Sequence, residues 1–201
     1  MQSPSEIRAR YDAIQHEVGP HVTIVAATKY IAADDMAQLI EAGITTVGEN
    51  RAQDLEAKHA IYGDAFTWHF IGALQSNKAK LVNARCTLVH SVDTDSTARR
   101  LTIPMLIQVN IAAEDTKAGI RPDELPNYLQ YDVHGLSTMP PAAATPDESR
   151  SHFRALHNLA SSHGLKTLSM GTTQDYAAAA QEGATHIRVG SVLFHETPHT
   201  R

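Results

Sequence analysis

The stretch VTIVAATKYIAADDMAQLIEAGITTVGEN, residues 22–50, sets the fold class. It opens on an apolar run, Val22–Ala27, passes through a helix-forming segment, Asp34–Ala42, and returns to a second apolar run, Ile44–Gly48. Gly43 falls where a left-handed residue ends a helix. Two short β-branched runs joined through one helix read as a strand–helix–strand unit, and such a crossover requires parallel strands. The pattern recurs. Further strands are predicted at Thr67–Gly72, Thr87–Val92, Met105–Ile111, Val133–Met139, Thr167–Gly171 and His186–Gly190. Helices are predicted at Arg51–Tyr62, Asn77–Ala84, Asp147–His163 and Gln174–Glu182, with Gly164 and Gly183 as further C-caps. Ala33-Asp34-Asp35, Thr145-Pro146-Asp147 and Thr172-Thr173-Gln174-Asp175 read as N-caps, and Pro140–Pro146 as a surface loop. Pro4–Val18 predicts an extra helix ahead of the first strand. Ser96–Ile103 and Pro122–Tyr131 leave room for only two or three turns after the fourth and fifth strands. The expectation is an α/β chain of one domain, residues 1–201. It is a single (β/α)8 TIM-type barrel with an extra N-terminal helix and shortened helices after strands 4 and 5. An open doubly wound sheet is the structural alternative.

Composition bounds the function. Seventeen basic against twenty-two acidic residues give a net charge of −5, which argues against nucleic acid or an anionic membrane as the main partner. The lone Cys86 has no internal disulfide partner and fits a reducing compartment. No run approaches a membrane span, and the polar start, Met1 to Asp12, does not read as a secretory signal. A cytoplasmic protein is expected. Spread over eight strand–helix units, the chain leaves about 25 residues each, against roughly 250 in total for a typical barrel.

In such sheets the chemistry sits where strands end and loops begin. Lys29 directly follows the first strand, where loss of hydration favours the neutral, nucleophilic amine; a plain surface lysine is the bland reading. Asn50 follows the second strand and can meet a ligand oxygen or cap the next helix. His69 lies among apolar neighbours and reads as a satisfied core histidine. Gln75, Ser76 and Asn77 suit a helix start or a ligand contact. Gln108 and Asn110 share a strand face and need partners. After strands seven and eight come Leu168-Ser169-Met170-Gly171-Thr172-Thr173 and Arg188-Val189-Gly190-Ser191. Glycines admit an anion to the backbone, hydroxyls donate, and helix starts offer free N–H groups, so these two loops form a phosphate site. Arg188 shares strand parity with Gly190 and faces either the ligand or an internal ion pair, with Glu49 as the candidate partner. Metal chemistry is not expected: no metal-ligand spacing occurs, and His195 and His199 stand four apart only by chance. No Gly-x-Ser-x-Gly elbow, P-loop or Gly-x-Gly-x-x-Gly is present. One lysine, one arginine and a phosphate-shaped pocket suit a carbonyl compound bearing a phosphate.

Taken together these residues resemble the pyridoxal-phosphate homeostasis protein family, small single-domain relatives of the alanine racemase barrel. The matching stretches are Val25–Lys29, Gly48–Asn50, Trp68–Gly72 with Leu74–Lys78, and His90–Asp93. Leu106–Asn110 with Lys117–Gly119, His134–Leu136, Leu168–Gly171 and Ile187–Ser191 follow in order. The resemblance implies pyridoxal 5′-phosphate (PLP) as cofactor, with Lys29 forming the internal aldimine. It implies that Asn50 contacts the cofactor near its ring, that Thr173, Gly190 and Ser191 hold the phosphate, and that Ser169, Met170 and Gly171 line that pocket. Arg188 would face the pyridine nitrogen. The family's usual Gly-Met-Ser is here Gly171-Thr172-Thr173, which keeps the hydroxyl, and its usual late glycine is His195.

The implied function is PLP binding in vitamin B6 and amino-acid homeostasis, without robust catalysis, by a monomer whose partners would be PLP and PLP-dependent apo-enzymes. A racemase of the same barrel type is one alternative, and this chain leaves no residues for the second domain such an enzyme uses. A Schiff-base aldolase or other phosphate-binding barrel is another, and Lys29 on the first strand counts against it.

Overall fold

In the computed structural model, which describes residues 2–112, 118–141 and 145–194, every one of the eight apolar runs is a strand. They are β1 (Thr23–Ala27), β2 (Thr46–Glu49), β3 (Thr67–Phe70), β4 (Leu88–Val92), β5 (Met105–Gln108), β6 (Val133–Ser137), β7 (Thr167–Thr172) and β8 (His186–Val189). Each pairs parallel with the next, and β8 pairs back onto β1 with Thr23 opposite His186 and Val25 opposite Arg188. The sheet is a closed (β/α)8 barrel, not the open alternative. Parallel closure gathers all eight C-terminal strand ends at one mouth. β3, β5 and β6 end two or three residues before their apolar runs do. After β5 the reason is visible: Asn110 N–H donates to the Ile120 carbonyl and Ile120 N–H to Gln108, so the run pairs with its own loop. Lys117, His195 and His199 lie outside the described residues, as does the middle of the Pro140–Pro146 loop.

The helices follow from local chemistry. In α1 (Pro4–Val18) the Ser3 hydroxyl accepts from Glu6 N–H while the Glu6 carboxylate accepts from Ser3 N–H, and Pro4 occupies the first turn, where no amide donor is needed. The others are α2 (Ala37–Glu41), α3 (Ala52–Tyr62), α4 (Ala79–Asn83), α5 (Asp95–Ala98), α6 (Arg150–Ser162), α7 (Tyr176–Gln181) and α8 (Ser191–Phe194). The shortened segments after β4 and β5 are as expected: four residues of α5, and a 3-10 turn, Pro122–Asn127, with Pro126 inside it. Gly43, Gly164 and Gly183 take positive φ after their helices. The three expected N-caps supply no side-chain bond to a helix amide. Asp175 instead turns back to accept from Thr172 N–H at 2.7 Å, which shapes the β7–α7 turn. Among the described residues no helix is long and apolar enough to cross a membrane.

Strand alternation divides the core in two. Ile24, Val47, Trp68, Phe70, Val89, Ile107, Leu136, Leu168 and Ile187 pack outward against Ile7, Leu39, Leu55, Val82, Phe153 and Leu156 of the helices. Each such side chain is worth about 1.5–3 kcal/mol of apolar burial. The inner face carries most of the buried polar strand residues, beside Val25, Leu88 and Leu106. His90 on β4 shares a hydrogen bond with Ser169 on β7 at 2.7 Å and another with His69 on β3 at 3.0 Å. β4 and β7 are three strands apart, so the first bond crosses the lumen. His186 of β8 packs against both rings at 5.7–5.8 Å between centroids. His69 is therefore a satisfied core histidine, as expected, within a cluster of three. Burial pushes His69 down to about 3 and His186 to about 4 from the ordinary 6.5, and holds His90 well below that value.

Two predictions follow from the packing. A Cβ at Gly135 would sit 1.9 Å from the Thr167 carbonyl on the neighbouring strand. Gly135→Ala should cost about 3 kcal/mol and lower Tm by roughly 6–12 °C, read by thermal denaturation. The histidine cluster gives an acid limit. The unfolded chain protonates these rings near pH 6.5 while the folded chain keeps them neutral, so stability falls as pH drops from about 6.5 toward 4. Each ring contributes about 1 kcal/mol per pH unit in that window. Urea titrations at pH 7 and pH 5 should show His69→Gln flattening this dependence by about one proton.

Candidate functional site

A cavity of about 350 Å³ opens at the mouth, lined by the ends of β1, β2, β3, β6, β7 and β8. Lys29 stands on its rim two residues beyond β1. It is exposed rather than desolvated, with its Nζ 4.7 Å from the centroid of the Tyr30 ring, a cation–π contact on an aromatic that is itself 80% exposed. What is buried is the backbone behind it. Thr28 is fully covered; its N–H donates to the Gly48 carbonyl at 3.0 Å and its hydroxyl to Glu49 Oε1 at 2.5 Å.

Asn50 lines the cavity directly after β2, and its Oδ1 is buried without a hydrogen-bond partner. The capping alternative is not realised, because α3 starts at Ala52 with Arg51 in the N-cap position, and no side chain caps it. Asn50 is held from behind: a Cβ on Gly72 would lie 2.1 Å from the Asn50 carbonyl, so only glycine lets the β3 loop approach this closely.

Arg188 lies on the inner face of β8 and is 6% exposed. The ion pair proposed for it with Glu49 does not form. Glu49 follows the opposite parity and points into the helix layer, where Lys58 of α3 takes it at 2.6 Å. Arg188 Nη2 donates instead to the Thr138 carbonyl at 2.8 Å and lies 3.1 Å from Met139 Sδ, while its Nε is buried without a partner. Burial pushes the guanidinium down to about 10, with Asp175 opposing, so it remains a cation at neutral pH in the cavity wall.

The last two loops meet as expected. Thr173 Oγ1 lies 3.4 Å from the Gly190 N–H and 3.3 Å from Ser191 Oγ, and all three residues line the cavity. A short α8 begins at Ser191. Of the sequence-derived residues, Lys29, Asn50, Thr173, Arg188, Gly190 and Ser191 are thus brought together. Ser169, Met170 and Gly171 do not line the cavity. Ser169 points down into the lumen toward His90, Met170 faces the helix layer, and Gly171 packs against α7, where a Cβ would meet Ala179 Cβ at 2.6 Å. Sequence reasoning missed Ile71 and Met139, which strand parity two residues beyond His69 and Ser137 would have found. It also missed Tyr30, Ile31 and Phe194, for which only the loop conformation decides. Gln108, expected to need a partner, donates to the Ala118 carbonyl at 3.2 Å. Among the described residues no cluster of histidine, cysteine, aspartate or glutamate could hold a metal ion.

Comparison with known proteins places this geometry. Residues 3–198 match the family model "Alanine racemase, N-terminal domain". A pyridoxal phosphate homeostasis protein of Synechocystis is 36% identical, covering 92% of this chain and 95% of its own. PipY of Synechococcus elongatus superposes with a TM-score of 0.85 without PLP, at 33% identity over 94% of this chain and 99% of its own. Its PLP-bound form gives a TM-score of 0.82 at 32% identity with the same coverage. By these matches, over nearly its whole length, the chain belongs to the pyridoxal phosphate homeostasis protein family, within the alanine racemase N-terminal barrels.

Proposed function

We propose that the protein binds pyridoxal 5′-phosphate in the mouth cavity, over a single binding domain of residues 1–201, and serves vitamin B6 and amino-acid homeostasis as a holder of the cofactor. The observation that carries this reading is the pair of unpartnered buried polar atoms, Asn50 Oδ1 and Arg188 Nε, on residues of the cavity wall. Each leaves about 1–3 kcal/mol of desolvation uncompensated, which a ligand supplying hydrogen-bond partners would offset. The residue types fit the group. Lys29 supplies the amine, Thr173 with Gly190 and Ser191 a notch of two hydroxyls and a backbone N–H for the phosphate, and Asn50 and Arg188 the polar wall.

When bound, the group supplies an aldehyde that condenses with an amine and a ring that can withdraw electrons. Arg188 bears on the second property. A guanidinium is only a donor, so a ring nitrogen facing it stays unprotonated, and the electron sink is weaker. The fixed positive charge close to the ring also disfavours adding a proton there. The residues therefore favour retention over turnover. The exposed Lys29 and the open rim let the cofactor enter and leave, which suits transfer to PLP-dependent apo-enzymes. The free and buried Cys86 is consistent with a reducing cytoplasm, and we take the unit of function to be the monomer.

Two experiments test the reading. PLP added to the purified protein should develop a visible absorbance band that Lys29→Ala lacks. A protein that takes up no PLP would overturn the proposal, and racemisation of alanine at a preparative rate would overturn its non-catalytic part. Thr173→Val removes the hydroxyl shared by Gly190 and Ser191 and should weaken PLP retention about tenfold. Uptake of pyridoxal, which lacks the phosphate, should be unaffected; equal weakening of both ligands would move the phosphate elsewhere.

A further inference from the structure

Lys58 is a buried cation with an unusual job. It lies on the inward face of α3, at the same helical spacing as the buried Ala52 and Leu55, where an apolar residue would normally stand. Its Nζ donates to the Thr28 carbonyl at 2.7 Å and to Glu49 Oε1 at 2.6 Å, and the two side chains are 6% and 0% exposed. The Thr28 hydroxyl bonds the same carboxylate oxygen, and the Thr28 carbonyl also accepts from Ile31 N–H at 2.9 Å. Glu49 Oε2 is buried with no partner. Replacing such a pair by apolar side chains of similar volume is often neutral or stabilising, so its stability value does not account for it. Its bonds converge on one place: the carbonyl and the hydroxyl of Thr28, the residue that precedes Lys29. The Thr28 hydroxyl also lies 3.3 Å from the Gly48 carbonyl, the other bonds of that turn are backbone bonds, and among the described residues the Lys29 side chain contacts only the exposed Tyr30 ring.

We propose that Lys58, acting through Glu49 and Thr28, is a positioning residue that fixes the backbone from which Lys29 presents its amine. This rests on the reading above, in which the neutral Lys29 amine condenses with the PLP aldehyde, a C=N bond replacing the C=O bond as the aldehyde oxygen leaves with the two amine protons as water. The ion pair contacts neither the phosphate notch nor Arg188. It therefore governs capture of the aldehyde and not retention of the phosphorylated ring. A displacement of the amine by about an ångström lowers the rate of a bond-forming step by up to a hundredfold.

The test uses two ligands: PLP, and pyridoxine 5′-phosphate, which keeps the ring and the phosphate but has an alcohol in place of the aldehyde. Lys58→Met leaves a buried carboxylate without its cation, so Glu49→Gln/Lys58→Met, which removes both charges, is measured beside it. In the double variant, capture of PLP, followed by the rise of the visible band, should slow roughly tenfold to a hundredfold. Borohydride reduction and peptide mass spectrometry should find less PLP fixed on Lys29. The affinity for pyridoxine 5′-phosphate should stay within about threefold of wild type. Unchanged PLP capture by a folded double variant would overturn the proposal, as would equal weakening of both ligands, which marks a merely structural role. If neither Lys58 variant folds, Thr28→Val, which removes only the hydroxyl from the clamp, must show the same split between ligands, and no split overturns the proposal. A wild-type protein that takes up neither ligand would instead remove the functional reading on which this one rests.

Discussion

Closure of the sheet is the constraint on which the rest depends. When β8 pairs with β1, residues 25–27 come to lie beside 188–190 although more than 160 positions separate them in the chain. That single pairing places Lys29 within the same cavity as Arg188, Gly190 and Ser191. It also leaves little room at position 190: a Cβ there would stand 3.2 Å from the Ala27 carbonyl, tighter than ordinary packing. The register of β7 against β8 slips between Ser169 and Thr172, where β7 runs out into the Thr173 turn that faces Gly190. The cavity is thus a consequence of how a parallel barrel ends, with its polar lining groups added at strand termini.

The protein buries polar side chains in three electrostatic regimes. In the lumen three imidazoles are kept neutral, chiefly because burial would strip a charged ring of its hydration; at His90 the neighbouring His69 and Arg188 add to that. In the cavity wall Arg188 is kept charged, since even when burial lowers it to about 10 it remains protonated at neutral pH. In the helix layer Glu49 and Lys58 are kept as a pair. An ion pair in that layer gains little over apolar packing, whereas a lone buried charge costs several kcal/mol, so the two residues are retained or lost together. The exposed ion pairs, such as Arg8 with Asp12 and Arg99 with Asp95, are screened by water and decide nothing about the architecture.

A barrel mouth with one amine, one guanidinium and a hydroxyl notch can hold a phosphorylated carbonyl compound with few specialised groups. The same economy separates binding from turnover. Retention needs donors to oxygen atoms and a fitted wall, while turnover needs acid and base groups poised on both faces of the bound ring and stabilisation of developing charge. Among the described lining residues the ionisable groups are Lys29, Tyr30 and Arg188, and the first two are adjacent in the chain on one side of the mouth.

Periodicity alone determined much of this protein. Eight apolar runs, the C-capping glycines, the extra first helix and the short segments after β4 and β5 are local features, and local propensity and spacing reported them. Lys29, Asn50, Thr173, Arg188, Gly190 and Ser191 were legible as residues of the mouth cavity, because strand ends gather there in such folds. The partners of buried charges were not. Arg188 and Glu49 looked like complementary neighbours in the sequence, yet the pleat turns one into the lumen and the other toward α3. Ser169, Met170 and Gly171 belong to a site-forming strand, but they point below the cavity, outward and against α7. Likewise, a lysine after a strand reads as desolvated, and only the loop conformation leaves Lys29 exposed and buries the residue before it. Sequence fixes what each residue can offer and its alternation along a strand; which groups then meet depends on barrel closure and helix packing, because those contacts join residues far apart in the chain.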